Sequence, residues 1–483
     1  MSRVLDVIYN SKKNYGERDS IVYRVENDYK SINYNQLFEY MNSLAFHLEK
    51  YKNKTIAIIG NNKLEYTVSL LSIISYIGDA FLIDKELSEE DINNIFKIKK
   101  PDLIILDDEL KIKFSKYDTL LFSDINKYMI SKNKYKNKDK FSGKLILHTS
   151  GTTGVPKCVV LDEDNYFGVI PELNKKWKVT CEQSCLLIIP LYHIYALVCL
   201  FHGLYAGIAN ILEWDFKNLN KVLLETKPAL FMGVPLMYNK IKDVALEKAG
   251  SKIKFGITLS NFLLKFKIDI RKKLFKELHD YFGGNYVFGC SAGSLLPYET
   301  NKFFNDVGLP VYNVYGMTET SGPIAINYEN HNLYESVGEI LDINKVKIIN
   351  EDNNGVGEVH VKGSNVFTGY LGDKDKNYFN SDYFDTGDLG YIKNNFLYVT
   401  GRKKNILIGA NGKNISPLEL KNKILKSKKI HDCKIIMKDN RLVALLNTSL
   451  TKDEVSKYID KINKTLPKYK QISEFEITSK NLK

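Results

Sequence analysis

Apolar residues in the first third of the chain recur with two alternating spacings. Within residues 31–49 they stand three and four positions apart, at Leu37, Met41, Leu44, Ala45 and Leu48. This spacing predicts a helix. Short apolar runs predict strands, and helical spacing returns between them: the strands are expected at 55–59, 80–83 and 103–106, and the helices at 65–77 and 90–98. Strands that alternate with helices predict a parallel sheet flanked by helices.

The middle of the chain continues this alternation. A polar, charged run at 131–140 is expected to be a loop, and a strand is predicted at 145–148. The patterns further along predict a helix at 219–225, a strand at 229–232 and one long amphipathic helix at 261–281. We therefore expect the α/β pattern to extend well past residue 250.

Residues 186–212 form the longest apolar segment and are long enough to span a bilayer. Pro190, His193 and His202 interrupt the segment, and it stands alone in a polar context. We interpret it as a strand, a loop and a buried helix, and membrane contact is the less favoured alternative. We predict no transmembrane span.

Short strands with Gly and Asn turns follow from residue 337 to residue 400, for example at 358–361, 391–392 and 397–399. After Gly401 about 80 residues remain, with an α+β pattern of their own, which is enough for a small domain. The sequence therefore predicts two domains, residues 1–400 and 401–483.

Composition narrows the class of protein. The 483 residues are 44% hydrophobic and 26% charged, which excludes a disordered or collagen-like chain. Six scattered cysteines fit neither a disulfide framework nor, at Cys181 and Cys185, a complete zinc set. Residues 1–10 carry Asp6 and no long apolar run, so we expect no signal peptide and a cytoplasmic location.

The net charge is +12, and only six of the 69 basic residues are arginines. A bias towards Lys, Asn and Ile is typical of AT-rich coding sequence. The alternative is attraction to polyanions such as nucleotides, coenzyme A or an acidic carrier protein. No nucleic-acid-binding motif is present, so nucleic acid is not an expected partner.

The first motif with chemical meaning is SGTTGVPK at residues 150–157. Gly151 and Gly154 allow the backbone N–H groups to approach an anion, and Lys157 adds a positive charge. The motif is not a Walker A loop, because Cys158 stands where that loop needs Ser or Thr. Taken alone, it could be a plain turn.

This motif and five others, in order along the chain, resemble those of the adenylate-forming superfamily, which includes acyl- and aryl-CoA synthetases. The others are PLYHIYAL at 190–197, VYGMTET at 314–320, YFDTGDLG at 383–390, GRKKNI at 401–406 and GKNISPLE at 412–419. The resemblance implies an AMP-forming acid–thiol ligase, an enzyme that activates a carboxylic acid with ATP and passes it to the thiol of coenzyme A or of a carrier protein's phosphopantetheine. It also implies an α/β fold: a large domain with parallel-rich sheets, flanking helices and a small β-barrel-like part, and a small mobile α+β C-terminal domain.

The resemblance assigns expected roles to residues of the large domain. Nucleotide phosphates would lie against Ser150, Gly151, Thr152, Thr153, Gly154, Lys157 and Thr318, and Glu319 would bind Mg²⁺. Adenine would lie against Ala292, Gly293, Ser294 and the Tyr315–Gly316 pair, and His193 would gate the acyl pocket. Structural alternatives stay open: Glu319 as a surface carboxylate, and Tyr315 and His193 as core residues.

The resemblance also assigns roles near the C-terminus. Asp388 and Arg402 would bind the ribose, although a structural salt bridge is the alternative, and Lys404 lies at the expected hinge. The adenylation lysine of the family would correspond to Lys483, but Leu482 stands where glycine is usual. Lys483 could instead be a tail lysine, with the catalytic lysine missing or replaced by Lys480.

Three hypotheses follow. The first is ATP-dependent activation of a fatty or aromatic acid. The resemblance disfavours an amino acid, because family members that activate amino acids usually carry an Asp after an aromatic residue near this motif to hold the ammonium group. Here His193 follows Tyr192. The second is a protein that binds an adenylate, or transfers its acyl group, with impaired adenylation. The third is a serine hydrolase, because GCSAG at 289–293 matches the G-x-S-x-G nucleophile elbow. The third requires a helix close to Ser291, whereas Pro297 predicts a later helix start.

Overall fold

The computed structural model describes residues 3–135, 141–149, 157–372, 378–405, 407–408, 414–415, 417–427, 429–438, 441–466 and 468–478. The chain divides into two compact units. The first comprises Met1–Lys345 and Gly363–Tyr378, and the second comprises Val346–Lys362 and Phe379–Lys483. The predicted boundary at 400/401 falls inside the second unit, and as a boundary between moving domains it stays a prediction.

The first unit contains a six-stranded sheet. Its neighbouring strands are, in order, Thr119–Leu121, Leu103–Leu106, Thr55–Ile59, Asp79–Ile83, Leu145–Thr149 and Lys157–Leu161. All pairs are parallel except the last, which is antiparallel. Every residue of the two central strands that begin at Thr55 and Leu103 is buried, as expected where both faces of a parallel sheet are covered. The predicted parallel sheet is confirmed.

A second sheet of the first unit carries nine strands. In order they are Gly338–Ile340, Gly322–Ile326, Val311–Met317, Phe288–Ser291, Leu230–Gly233, Ser184–Leu187, Ala209–Leu212, Asp19–Val25 and Asp28–Asn33. The strands from Val311–Met317 to Asp19–Val25 are parallel to one another, and the pairings outside them are antiparallel. Parallel strands end at one edge of a sheet, and this edge is where open α/β sheets bind ligands.

Thirteen helices of the described part of the first unit connect these strands. They are Arg3–Tyr15, Tyr34–Leu48, Leu64–Ser72, Glu89–Ile98, Phe122–Met129, Glu163–Gly168, Ile170–Trp177, Ile194–Ala206, Leu219–Thr226, Pro235–Leu264, Arg271–Leu274, Lys276–Tyr281 and Tyr298–Asp306. The helix predicted within 31–49 starts at Tyr34, because Asn33 and Gln36 form a capping box.

The apolar segment 186–212 is confirmed as strand, loop and buried helix. Strand Ser184–Leu187 leads through a loop to helix Ile194–Ala206, which is buried along nearly its whole length and ends at Gly207 with φ +73°. Strand Ala209–Leu212 follows. Across the residues that the structure describes, no helix has both the length and the apolarity to cross a membrane.

The single helix predicted at 261–281 is wrong. A helix that begins much earlier, Pro235–Leu264, ends near the start of this range. Two short helices, Arg271–Leu274 and Lys276–Tyr281, follow it. Lys267 adopts φ +61°, and the Asp269 carboxylate accepts a hydrogen bond from the Arg271 N–H at 3.0 Å. Asp side chains that bond the backbone in this way compete with a continuous helix, and periodicity alone does not reveal such competition.

The second unit is mostly antiparallel. One set of strands is ordered Asn344–Ile349, Gly357–Gly363, Tyr383–Lys393 and Phe396–Arg402, with Phe379–Asn380 beside the third. A pair, Leu407–Ile408 and Asn414–Ile415, and a triplet, Ile430–Lys438, Arg441–Thr448 and Glu474–Ile477, complete the described strands. Helices Pro417–Ile424 and Lys452–Asn463 pack with the triplet around an apolar core. The strand-rich and α+β predictions are confirmed.

We expect His202 to make folding pH-dependent. The ring is buried within helix Ile194–Ala206, with Nε2 3.2 Å from Asn174 Oδ1, and burial lowers its pKa to about 4. A pKa depressed on folding means that the stability is fully present above the unfolded value of about 6.5 and is lost as pH falls towards 4. Between pH 7 and pH 5 the free energy of unfolding should fall by about 2 kcal/mol more in wild type than in His202→Gln.

Urea denaturation at the two pH values measures this difference. The control is His431→Gln, which removes an exposed histidine. A pH dependence in His202→Gln equal to that of wild type would show that the buried ring does not govern it.

Candidate active site

The motif at 314–320 lies at the carboxyl end of strand Val311–Met317. The pairing of this strand with Gly322–Ile326 shifts register between Tyr315 and Gly316. A Cβ on Gly316 would lie 1.9 Å from the Gly322 carbonyl oxygen, so only glycine fits. A 3-10 turn, Thr318–Thr320, follows at once. The motif thus produces a sharp turn at the edge where ligands of α/β sheets bind.

This turn buries Glu319, which is only 7% exposed, and leaves Thr318 half-buried. The Glu319 Oε1 atom accepts a hydrogen bond of 2.6 Å from the hydroxyl of Tyr370. Its backbone oxygen accepts another, of 2.8 Å, from the Phe367 N–H. A buried carboxylate is costly unless it is paired, and Tyr370 supplies a donor. The alternative that Glu319 is a surface carboxylate is excluded.

Tyr370 belongs to what we call the return segment, residues 363–378, described at 363–372 and 378. The Leu371 N–H donates to the Cys158 carbonyl oxygen at 2.8 Å, and Tyr370 forms an antiparallel bridge with Val159. The return segment therefore contacts both the 3-10 turn and strand Lys157–Leu161.

Lys157 is held by the same segment. Its Nζ lies 4.5 Å from the ring centroid of Tyr370 and 4.9 Å from that of Tyr378, and it donates to the Tyr378 hydroxyl at 3.2 Å. Tyr370 thus presents its ring to the cation of Lys157 and its hydroxyl to the carboxylate of Glu319. The structure brings these two predicted residues together through one tyrosine.

Residues 150–156 of the predicted phosphate loop lie outside the described residues. Five predicted site residues fall in this range: Ser150, Gly151, Thr152, Thr153 and Gly154. The residues on either side of the loop, Thr149 and Lys157, are strand partners. The two ends of the loop are therefore adjacent, and one end carries the Lys157 cation.

His193 stands directly before helix Ile194–Ala206, and its side chain makes no capping hydrogen bond. The residue is exposed, so it is not a fully buried core histidine, although partial burial of the ring lowers its pKa. Its ring lies 4.4 Å from that of Tyr192, which stacks on His148 at 6.0 Å. The Asp84 N–H donates to His148 Nε2 at 3.0 Å, and burial lowers the pKa of His148. Since Nε2 accepts, the neutral ring carries its proton on Nδ1. The rings of His193, Tyr192 and His148 thus form a row, and His148 directly precedes Thr149 at the start of the glycine-rich loop.

The adenine motif follows the neighbouring strand Phe288–Ser291. Ala292 is buried, whereas Gly293, with φ +84°, and Ser294 are exposed. Ser291 pairs with Asn313 of strand Val311–Met317, so both motifs leave the sheet at the same edge. Tyr315 is half-buried and pairs with Ala325.

Ser291 itself does not fit a nucleophile elbow. It is the last residue of a strand and is 0% exposed, and its hydroxyl has no hydrogen-bond partner among the described residues. The next helix begins at Tyr298, after Pro297, as predicted. A nucleophile must be exposed on a strand-to-helix turn, so the hydrolase hypothesis has no support here.

In the second unit, the motif at 383–390 forms a β-bulge. Residues 386–388 stand opposite Val359 alone, and Gly387 adopts φ +69°. The Thr386 hydroxyl donates to the Val359 carbonyl oxygen at 2.8 Å and accepts from the Asp388 N–H at 3.1 Å. Glycine and threonine thus shape the backbone around Asp388.

Asp388 is 4% exposed, and its Oδ1 lies 2.7 Å from Arg402 Nε. The structure therefore joins the two residues expected to bind ribose, and the ribose role itself stays a prediction.

Lys404 is exposed in the 3-10 turn Lys403–Asn405, and its hinge role also stays a prediction. Lys480, Leu482 and Lys483 lie outside the described residues.

Sequence reasoning missed Tyr370, Tyr378 and His148. Tyr370 is one of 31 tyrosines and lies 51 residues from Glu319 along the chain. No local pattern marks such a contact. His148 could have been suspected, because it ends a predicted strand directly before the glycine-rich motif.

Comparison with known proteins adds independent findings. A family model described as AMP-binding enzyme matches residues 9–371. The chain is 32% identical over 304 residues to the long-chain-fatty-acid–CoA ligase ACSBG2 of Xenopus laevis, which covers 56% of this chain and 41% of that protein. It is 26% identical over 417 residues to the 2-succinylbenzoate–CoA ligase of Lactococcus lactis, which covers 83% of this chain and 82% of that protein. The chain spans about half the length, or less, of the long-chain ligases it matches.

A solved structure shares the fold. It is the O-succinylbenzoate coenzyme A synthetase of Bacillus subtilis in complex with ATP and magnesium ion, with a TM-score of 0.76 and 20% sequence identity. The match covers 98% of this chain and 96% of that chain. At this identity the likeness establishes the α/β fold and no more.

We expect Gly316→Ala to destabilise the chain. The added Cβ would meet backbone at 1.9 Å, and backbone cannot move aside as a flexible side chain can. The expected cost is about 1–3 kcal/mol, measured by urea denaturation. Gly168→Ala is the matched control, because its Cβ would meet Ile343 at an ordinary 3.4 Å. Equal stability of the two variants would contradict the close approach.

Proposed function

The chain belongs to the AMP-binding enzyme family, and from this premise we propose that it is an AMP-forming acid–thiol ligase. It joins a carboxylic acid to the α-phosphate of ATP with release of pyrophosphate, and then transfers the acyl group from the adenylate to a thiol with release of AMP. The observation that carries the proposal is the connection of Lys157 to Glu319 through Tyr370.

This arrangement suits the first half-reaction. A carboxylate that attacks a phosphate brings anions together, so cations must be held where charge develops. Lys157 is held in place by two aromatic faces and the Tyr378 hydroxyl. In our proposal its ammonium faces the phosphates beside the glycine-rich loop, and Thr318 donates its hydroxyl to a phosphate.

Glu319 fits a magnesium ion, because it offers carboxylate oxygen, the donor that Mg²⁺ prefers, and Tyr370 already fixes one of its two oxygens. When bound, the ion would neutralise phosphate charge. Tyr370 orients the carboxylate and helps to hold it in a buried setting. The Bacillus subtilis synthetase that shares this fold forms a complex with ATP and magnesium ion, and we propose the same two ligands for this chain.

The acid is proposed to be fatty or aromatic, and the acceptor is proposed to be coenzyme A. The two relatives described above are named as coenzyme A ligases of long-chain fatty acids, which are largely apolar, and of 2-succinylbenzoate, which is an aromatic acid. A carrier protein finds no support among them. His193 heads a buried apolar helix, which is consistent with a role beside an acyl chain.

Asp388 and Arg402 are proposed to hold the ribose, and the resemblance of their motifs supports this assignment. All six cysteines are free, which is consistent with a cytoplasmic location.

ATP–pyrophosphate exchange tests the function. Wild type is assayed with fatty acids of 6 to 18 carbons, benzoate and 2-succinylbenzoate, and at least one acid should support exchange. Lys157→Ala should slow exchange with that acid by about 10²–10³-fold, the usual effect of losing one donor aimed at transition-state charge. The control Lys175→Ala removes an exposed lysine and should match wild type.

Two results would contradict the proposal: no exchange with any acid, or exchange in Lys157→Ala at the wild-type rate. If exchange fails while a synthetic acyl-adenylate still yields acyl-coenzyme A, the chain transfers acyl groups without making the adenylate. Lys483→Ala, assayed in both ways, shows whether the terminal lysine acts only in adenylation.

A further inference from the structure

An apolar stripe faces outward on the second half of helix Pro235–Leu264. The helix is interrupted at Gly250, whose φ is +52°. Beyond this point the exposed apolar side chains stand at helical spacing and continue past the helix end: Phe255 is 71% exposed, Leu259 37%, Phe262 56%, Phe266 63% and Ile268 50%. We call these five residues the outer stripe. Large apolar side chains that cluster in this way mark an interaction surface.

The opposite face of the same helix is seated on the protein. Ile253 and Ser260 are buried, and a Cβ on Gly256 would lie 3.1 Å from the ring of Phe275. The Asn261 amide donates to Asp306 Oδ1 at 3.2 Å. The helix therefore packs one face against the protein, and these contacts hold the outer stripe on the opposite face towards solvent.

Basic residues surround the outer stripe. Residues 251–276 contain eight Lys or Arg and one acid. That acid, Asp269, pairs with Arg271 at 2.6 Å. Five lysines are exposed and form no ion pair within the described part of the chain: Lys252, Lys254, Lys265, Lys267 and Lys273. The surface thus combines exposed aromatic rings with uncompensated positive charge.

We propose that the outer stripe and these five lysines bind the surface of an anionic lipid bilayer, with the helix lying in the plane of the interface. Phenylalanine rings would enter the boundary between headgroups and acyl chains, and the lysines would contact lipid phosphates. The charge argues against a second copy of the chain as the occupant, because a two-fold contact would bring two basic surfaces together. This inference does not depend on the proposed function.

Vesicle flotation tests the proposal. Full-length wild type is mixed with vesicles of phosphatidylcholine alone or with 30% phosphatidylglycerol. Binding should require phosphatidylglycerol and should fall as salt rises. The triple variant Lys254→Gln, Lys265→Gln, Lys267→Gln should partition about 100-fold less, from about fivefold for each lysine near an anionic surface. The double variant Phe255→Ser, Phe262→Ser should also lose binding.

Matched controls distinguish an effect of the outer stripe and its lysines from a general loss of exposed apolar surface or of positive charge. Ile112→Ser removes an apolar residue that is 90% exposed elsewhere, and Lys97→Gln, Lys111→Gln, Lys457→Gln makes the same charge change elsewhere. Both controls should bind vesicles within twofold of wild type. All variants change exposed residues, and circular dichroism should show an unchanged fold.

Insertion gives a second readout. Phe262→Trp should be quenched by brominated lipids in anionic vesicles and unaffected in zwitterionic ones. Three results would overturn the proposal: no flotation of wild type, equal binding by the lysine triple variant and its control, or a dimer in sedimentation velocity that Phe255→Ser, Phe262→Ser abolishes while vesicles go unbound.

Discussion

The structure of the candidate site depends on how one buried carboxylate is kept paired. Glu319 lies in a turn with almost no access to water, and the Tyr370 hydroxyl donates to it across 51 residues of chain. The Tyr370 ring also faces the Lys157 ammonium. Because a buried charge without a partner is expensive, the return segment must pack against this turn for the site to form. That packing also holds Lys157, so a single tyrosine connects a cation and an anion of the site.

Backbone irregularities at glycines place the acidic residues of both units. In the first unit, the register shifts at Gly316, three residues before Glu319. In the second unit, Gly387 lies in a bulge directly before Asp388. At Gly316 there is no room for a Cβ, and Gly387 adopts a φ that other residues disfavour. A buried carboxylate follows each of these glycines. Bulges of this kind commonly aim side chains at active sites.

Features that depend on neighbouring residues could be predicted from the sequence. Strand Thr55–Ile59 and the helix after Asn33 follow from apolar spacing and capping, and the motif around Glu319 lies at a strand end. The helix predicted at 261–281 failed because the Asp269 side chain bonds the backbone of Arg271. Tyr370 could not be found, because its role comes only from a contact that folding creates.

A double-mutant cycle between Tyr370 and Glu319 tests most directly whether their hydrogen bond organises the site. The readout is the rate of magnesium-dependent ATP–pyrophosphate exchange for wild type, Tyr370→Phe, Glu319→Ala and the double variant. Hydrogen bonds to charged groups contribute about 1.5–3 kcal/mol, so Tyr370→Phe alone should slow exchange by at least tenfold. In the Glu319→Ala background, where no side-chain acceptor remains for the Tyr370 hydroxyl, the same change should matter less than twofold. An equal factor in both backgrounds would contradict the account.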